Sequence, residues 1–426
     1  MKAIILATDR DYIFDKDRPL ALLKVCGVTL IARILNSLRV GGVKDVLIVL
    51  GFKGEQISNL LKDGDELNMR IRYIQAEDHE IPEIPQNFLN DDLLIICANT
   101  IIDAEFVDEI SRIEGTVVCY SNGTFVGVCK VSKESLNIFE NKEVRESLDK
   151  LVEALEKSYN IVKLDISRVR TEHIELKRKV PPICIKIEDK KSIKLVKKKL
   201  VFRTQKGLHF TSYINKPVED HLVYYIADIP WITPNRITIF ANVAAIFVAI
   251  LFLMGHLKIA AILAYIVGII DGLDGKLART RGILTKLGYI EHSFDMLYEQ
   301  LWYACFAVGL YFLGYGYLPL LLGVFILVVD SFVRHCYMQF RLTMGKALTA
   351  YTKFDRIFAR IDGRRNVYVL YMIIFSWLQI PIYALYAMLF HSSLTALIYA
   401  IRAIQHMNSA DKADGTKGFL KLVGKP

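Results

Sequence analysis

The chain has 426 residues, 53% of them hydrophobic, and a formal net charge of +9. That apolar content excludes an ordinary soluble protein, and the length suffices for two or three domains. The basic excess gathers in clusters such as 190–199 and 356–365. Beside long apolar runs, such clusters point to cytoplasmic loops and lipid headgroups rather than to nucleic acid. Seven cysteines, at 26, 97, 119, 129, 184, 305 and 336, are odd in number and form no CxxC, which argues for reduced, buried thiols. No cleavage site follows the apolar opening, so no signal peptide is expected and the soluble portion is placed in the cytosol.

Residues 1–7 form a short apolar run suited to a central parallel strand. Residues 28–38 have helical spacing, 46–50 read as a second strand, 56–61 as a short helix, 71–74 as a third strand and 93–97 as a fourth. Strands alternating with helices predict an α/β sheet with ligand sites at the carboxyl ends of its strands.

The segments Lys2-Ala-Ile-Ile-Leu-Ala7, Pro19-Leu-Ala-Leu-Leu-Lys-Val-Cys-Gly27 and Gly42-Val-Lys-Asp-Val-Leu-Ile-Val-Leu-Gly51 resemble sugar-phosphate nucleotidyltransferases. The likeness covers most of the first 200 residues and implies a Rossmann-like cytidylyltransferase fold. In that family a Gly-rich loop after the first strand holds the triphosphate on backbone amides. Here the corresponding Thr8-Asp-Arg-Asp-Tyr-Ile-Phe14 has no glycine and two carboxylates, so bulk and charge both oppose phosphate. The family's signature lysine falls on Leu20, its first metal aspartate on or beside Asn99, and its second on Glu188. The expectation is a catalytically silent domain over 1–200, serving as scaffold, dimer element or nucleotide sensor.

Residues 192–201 form a short amphipathic helix whose lysines read as a solvated face in preference to a headgroup-binding patch. Residues 202–215 are expected to be a connector containing Gly207. Residues 217–229 suit a helix lying in the membrane interface, with Tyr224, Tyr225 and Trp231 as anchors. Together 201–232 make a linker with an interfacial helix. Apolar runs then follow at 237–254, 257–270, 301–313, 318–333, 367–380 and 382–403. They predict an all-α membrane domain of six spans over 233–404, ahead of a polar tail at 405–426. The Gly314-Tyr-Gly316 break and Pro381 read as kinks or loops.

Several runs fall short of the ~20 residues a crossing needs, so the second and third spans must extend through acidic residues. Asp271, Asp274, Gly275, Ala278 and Arg279 recur at i, i+3, i+4, i+7 and i+8, one face of one helix. Glu291 and Asp295 are i, i+4 on the next. Four carboxylates on facing helices repel unless cations neutralise them, and an all-oxygen set suits Mg²⁺, Mn²⁺ or Ca²⁺ rather than zinc. Charges at membrane depth mark functional sites. Gly275 and Ala278 leave a groove for a flat ligand, and Arg279 can pair with phosphate.

This pattern resembles the CDP-alcohol phosphotransferase signature, and Thr233-Pro-Asn-Arg-Ile-Thr238 resembles that family's entry to its first span. Two departures stand out: the third acid is Glu291, and Gly288 precedes it by three residues where the family has four. Sliding the gap puts His292 at the third position but Met296 at the fourth, so Glu291 and Asp295 are preferred. The resemblance implies Mg²⁺ or Mn²⁺ held by Asp271, Asp274, Glu291 and Asp295, and nucleotide against Asp271, Asp274, Gly275, Ala278 and Arg279. It makes Asp295 the general base for the acceptor hydroxyl. It also implies that arginines near later spans hold a phosphorylated acceptor; Arg334, Arg365 and Lys286 are the candidates, although Asp330 lies one turn before Arg334.

Fusion of the two domain types resembles bifunctional inositol-phosphate cytidylyltransferase/di-inositol-phosphate phosphate synthases. The expected function is a multi-pass cell-membrane enzyme, active site and first domain facing the cytosol. It moves a phospho-alcohol from a CDP-alcohol to an acceptor hydroxyl with release of CMP. Candidate pairs are CDP-inositol with inositol phosphate, or a CDP-lipid with a polyol phosphate as in phospholipid biosynthesis. Membrane lipids and a homodimer are expected partners, and nucleic acid is not. The rival readings are a fully bifunctional enzyme and a non-catalytic transporter or scaffold whose acids line an ion path.

Overall fold

A computed structural model describes residues 1–76, 80–173, 178–205 and 209–415. The connector's Gly207 and the tail beyond 415 lie outside these residues. By compactness the chain divides into two units: Met1–Lys206 with Val223–Trp231 and Lys276–Ile283, and Gly207–Leu222 with Ile232–Gly275 and Leu284–Pro426.

The first unit is built on a seven-stranded sheet. Its strands are β1 (Lys2–Ala7), β2 (Asp45–Leu50), β3 (Arg70–Gln75), β4 (Leu93–Cys97), β5 (Thr116–Ser121), β6 (Thr124–Val131) and β7 (Ile161–Asp165). The spatial order is β7-β5-β6-β4-β1-β2-β3. β1 pairs in parallel with β2 and β4, and β2 with β3. β6 runs antiparallel to its neighbours β4 and β5. Residues 3–7 of β1 are all buried because both sheet faces are covered, which explains an unbroken apolar run where a half-exposed strand would alternate.

Alternation reappears in which core each residue joins. Ala3, Ile5 and Ile48 pack with Ile31, Ile34 and Leu38 of α1 (Leu30–Val40) and with Phe106 of α2 (Ala104–Arg112). Ile4, Leu6, Leu47 and Val49 pack on the opposite face with Leu151 and Leu155 of α3 (Leu148–Ser158). All seven cysteines are free. Burial pushes the Cys26 thiol up to about 11 and that of Cys97 to about 12, as expected of inert thiols.

A cavity of about 740 Å³ opens at the carboxyl ends of β1 and β4, lined among others by Asp9, Leu20, Asn99, Lys186 and Glu188. The three positions at which the nucleotidyltransferase pattern is broken thus share one cavity. The segment after β1 is a short hairpin, Arg10–Asp11 against Asp15–Pro19, rather than an open loop. Asp11 is fully buried, accepts the N–H groups of Ile13 and Phe14 at 3.0 and 3.1 Å, and pairs with Arg18 at 2.5 Å. Of the two loop carboxylates, this one holds the turn together.

The basic helix α4 (Lys190–Phe202) buries Val196, Leu200 and Val201. The connector expected up to residue 215 is shorter than predicted. Helix α5 (Phe210–Ile226) begins well before Pro217 and carries that proline inside it. Its start is tied down by His209, a fully buried ring whose Nδ1 accepts the Thr211 N–H at 3.2 Å while Nε2 contacts the Asp362 carbonyl at 3.2 Å. Burial, reinforced by the nearby Arg364 guanidinium, lowers the His209 pKa to about 4. The unfolded ring takes up its proton near 6.5, so stability is lost as pH falls from about 6.5 toward 4, by up to ~1.4 kcal/mol per pH unit. Melting of the detergent-solubilised protein between pH 7 and 5 should show that loss, and His209→Gln should flatten it.

The second unit is helical: α6 (Pro234–Leu253), α7 (Leu257–Arg281, which continues past the unit boundary at Gly275), α8 (Glu291–Leu310), α9 (Leu318–Met344), α10 (Lys353–Phe358), α11 (Arg365–Trp377) and α12 (Ile382–Ala413). Three of these, α6, α9 and α12, are long and apolar enough to cross a membrane. Their outer faces are greasy: Ile239, Phe240, Val243 and Phe247 of α6, and Leu321, Val324, Phe325 and Val328 of α9, are all more than half exposed. Stripes of that size on helices of that length belong in lipid. α11 has 13 residues, about 20 Å at the helical rise and short of a bilayer core.

Close packing holds the bundle. Phe252 and Phe306 meet edge to face at 5.4 Å, and Trp302 donates to the Ala245 carbonyl at 2.8 Å. A side chain at Gly309 would lie 2.0 Å from the Phe252 carbonyl, so only glycine lets α6 and α8 approach there. Positive φ at Gly314 and Gly316 makes that break a turn, and Gln379 at φ 61 makes the segment before Pro381 another. α12 runs to Ala413, past the boundary expected at 404.

Candidate active site

Helical periodicity puts Asp271 and Asp274 on one face of α7, buried to 7% and 2% exposure. Glu291 and Asp295 open α8, one turn apart. One carboxylate oxygen from each of Asp271, Asp274 and Glu291 lies within 4.8 Å of the others, and Glu291, His292 and Asp295 form a second such group. Glu291, the departure from the expected signature, is the residue common to both groups. His292 adds its Nδ1 at 3.5 Å from Asp295.

The acids are held by specific partners. Thr238 of α6 donates to Asp274 at 2.5 Å, and the Gly275 N–H caps the other oxygen. Arg365, at the start of α11, donates to Asp271 at 2.8 Å, reaches Glu299 at 3.2 Å and bonds the Tyr298 hydroxyl. Arg334 of α9 bonds Asp330 at 2.7 Å and pairs with the other oxygen of Glu299. An alternating ladder results: Asp330, Arg334, Glu299, Arg365, Asp271.

The ladder takes in both arginines named as acceptor candidates. Arg334 and Arg365 do not present open guanidinium groups to an acceptor; both are engaged by carboxylates. Lys286 is exposed ahead of α8. Ala278 and Arg279 fall in the stretch of α7 that belongs to the first unit, where Arg279 Nε donates to the Thr204 carbonyl at 2.9 Å. Glu299, Tyr298 and Thr238 were missed in the sequence, although Glu291, Asp295 and Glu299 at i, i+4 and i+8 make one legible acidic stripe on α8.

Asp271 Oδ1 and Asp295 Oδ1 are buried with no hydrogen-bond partner. A buried carboxylate oxygen left unpaired costs about 1–3 kcal/mol or more, and native structures rarely keep one without a reason. Two of them beside a cluster of acids fit a divalent cation, and the all-carboxylate donor set with one histidine at its edge fits a hard ion.

Residues 231–401 match the CDP-alcohol phosphatidyltransferase family. The chain is 23% identical over 296 residues to the bifunctional IPC transferase and DIPP synthase of Aquifex aeolicus (strain VF5), covering 63% of this chain and 67% of that relative. A Bacillus anthracis chain named as a glucose-1-phosphate thymidylyltransferase aligns at 18% identity with a TM-score of 0.32, over 38% of this chain and 86% of that one. The protein is a transferase that carries a CDP-alcohol phosphotransferase family domain over residues 231–401.

Proposed function

We propose that the protein is a membrane enzyme that joins the phospho-alcohol of a CDP-alcohol to an acceptor hydroxyl and releases CMP. The observation carrying this is the carboxylate group of Asp271, Asp274, Glu291 and Asp295 with its two unpaired buried oxygens. These four residues would hold Mg²⁺ or Mn²⁺, and the chemistry the ion would supply is neutralisation of the donor pyrophosphate, which favours departure of CMP. Asp271, Asp274 and Gly275, with Ala278 and Arg279 further along α7, line the nucleotide side.

Asp295 takes the proton of the acceptor hydroxyl as its oxygen bonds the β-phosphorus and the link to CMP breaks. His292 beside it is placed to receive that proton onward. Arg365 orients Asp271, and Arg334 supports it through Glu299. A phosphorylated acceptor reaching this ladder competes with Glu299 for the two guanidinium groups, and Lys286 offers a third cation at the rim.

Six crossings follow if α7, α8 and α11 span together with the three long apolar helices, the polar stretches of the first two facing a shared cavity. The active site and first domain are assigned to the cytosolic side on the basic clusters at 190–199 and 356–365, and a homodimer is the assigned assembly. Inositol phosphate with CDP-inositol is the favoured pair, supported by the name of the Aquifex relative; a CDP-lipid with a polyol phosphate is the other. The first domain is catalytically silent, because its cavity carries Leu20, Asn99 and Glu188 where the chemistry needs a lysine and two aspartates.

The test is CMP release from a panel of CDP-alcohols, offered inositol phosphate and lipid acceptors with Mg²⁺. Release is expected with one pair, abolished by EDTA and restored by excess Mg²⁺; no release from any pair overturns the reading. The silent domain is tested in the full chain carrying Asp295→Asn, given CTP and inositol phosphate. No pyrophosphate should form, and steady turnover would show that the first domain makes the donor itself.

A further inference from the structure

The end of α7 has a built seat. Arg33 of α1 donates to the Thr280 carbonyl at 3.0 Å and to Val25 at 3.1 Å, and Asn36 donates to the Gly282 carbonyl at 2.8 Å. Arg281, on the helix itself, donates to the carbonyls of Ala227 at 2.9 Å and Ile229 at 3.0 Å. Gly282, at φ +71, closes the helix with bonds from its own N–H to Arg279 and from Ile283 to Ala278. Opposite lies Gly27, at φ +76, where a β-carbon would meet the Ala227 carbonyl at 2.9 Å and Arg281 Nε at 3.3 Å.

Arg33 is 6% exposed, and among the described residues no carboxylate lies within ion-pair range of it. A buried guanidinium without an acid is costly. A helix C-terminus has the complementary problem, since its last carbonyls lack partners and carry the negative end of the macrodipole. Each resolves the other, so the arginine is matched to a helix end and to little else.

We infer that Arg33, supported by Asn36 and the Gly27 turn, is a positioning residue for the transfer reaction: it fixes the end of α7 and thereby the setting of Asp271 and Asp274 on the same helix. The inference rests on those two aspartates doing the chemistry proposed above. Asp274 lies six residues before Thr280, about 9 Å along an unbroken helix, so axial slip or rotation at the seat is transmitted with little loss.

The experiment uses the full chain in detergent with Arg33→Met, Arg33→Lys and Asn36→Ala, read by amide exchange over 271–283, Mn²⁺ binding by electron paramagnetic resonance, and CMP release. Arg33→Met is expected to speed exchange there by about tenfold or more and to weaken Mn²⁺ binding. It should lower kcat by about ten- to a hundredfold while KM for the CDP-alcohol stays within about twofold. Arg33→Lys should restore part of each, and Asn36→Ala should give the same pattern at smaller size, deciding the matter if Arg33→Met does not fold. Unchanged exchange overturns the inference, as does faster exchange with Mn²⁺ binding and kcat both unmoved. If the wild-type chain releases no CMP from any donor, the proposed reaction fails, and exchange with Mn²⁺ binding still decides the seat.

Discussion

Asp295→Asn should lower kcat for CMP release by about 10²- to 10⁴-fold, the range spanned by loss of a general base. The amide keeps the size of the carboxylate and its oxygen, so packing in the first turns of α8 is preserved. What it loses is the carboxylate's capacity to accept the proton of the acceptor hydroxyl. KM for the donor should move less than kcat, because the nucleotide side of the site is assigned to α7 while Asp295 shares only in the cation site. A kcat within twofold of wild type would remove Asp295 from the base role and pass it to another group of the cluster, His292 first. Asp271→Asn tests the other side, because it weakens the cation site. Its expected signature is a higher Mg²⁺ requirement, measured by titrating the metal at saturating donor.

Glu299→Ala should destabilise the protein by about 3–5 kcal/mol. Both oxygens of Glu299 are used, one on Arg365 at 3.2 Å and one on Arg334, and the side chain is only 9% exposed. Truncation leaves two guanidinium groups short of an acid in a water-poor interior, the situation in which breaking a buried ion pair costs most. Arg334 retains Asp330 and Arg365 retains Asp271, so the loss is partial and the protein should still be made. Thermal unfolding in detergent measures it. The double variant Glu299→Ala/Arg365→Met should be less destabilised than the two single changes added together, since the second removes a charge the first has orphaned. Strict additivity would mean that the ladder is not energetically coupled.

Glu299→Ala also separates stability from catalysis. Released from Glu299, Arg365 is freer to bind a phosphate, so a phosphorylated acceptor should lower the cost of the substitution when present.

Legibility followed the range of the interactions. The spacing of Asp271 and Asp274, and of Glu291 and Asp295, is a local property of helices with 3.6 residues per turn, and Glu291 lies within 4.8 Å of Asp271 and Asp274 in one group and of Asp295 in the other. The same holds for β1, whose unbroken apolar run is what a strand covered on both faces requires. Glu291 was the doubtful acid because its distance from Gly288 breaks the expected register. In three dimensions the short turn of residues 287–290 ahead of α8 brings it into contact range of both groups. Pro217 misled for a similar reason: it reads as a helix start, but helix α5 accommodates it in its interior.

Arg334 and Arg365 show where sequence reading stops. Each follows or opens a span, where a cation for a phosphate is the expectation, with Asp330 one turn before Arg334 as that residue's other partner. Arg365 instead reaches Asp271, 94 residues away, and Arg334 reaches Glu299, 35 residues away. Such partners depend on which helices pack together, and no periodicity within a single helix encodes that. The amino-acid sequence by itself determined the α/β character of the first domain, the greasy helices of the second and the acidic faces of α7 and α8, because each is set by residues within a few turns or strands of one another. Tertiary packing alone decided that Glu291 joins the two acidic groups, that two arginines serve the acids before any substrate, and that a buried arginine of the first domain closes the end of the aspartate-bearing helix. Those outcomes depend on long-range contacts whose energies appear only once the chain has brought distant charges into a low-dielectric interior.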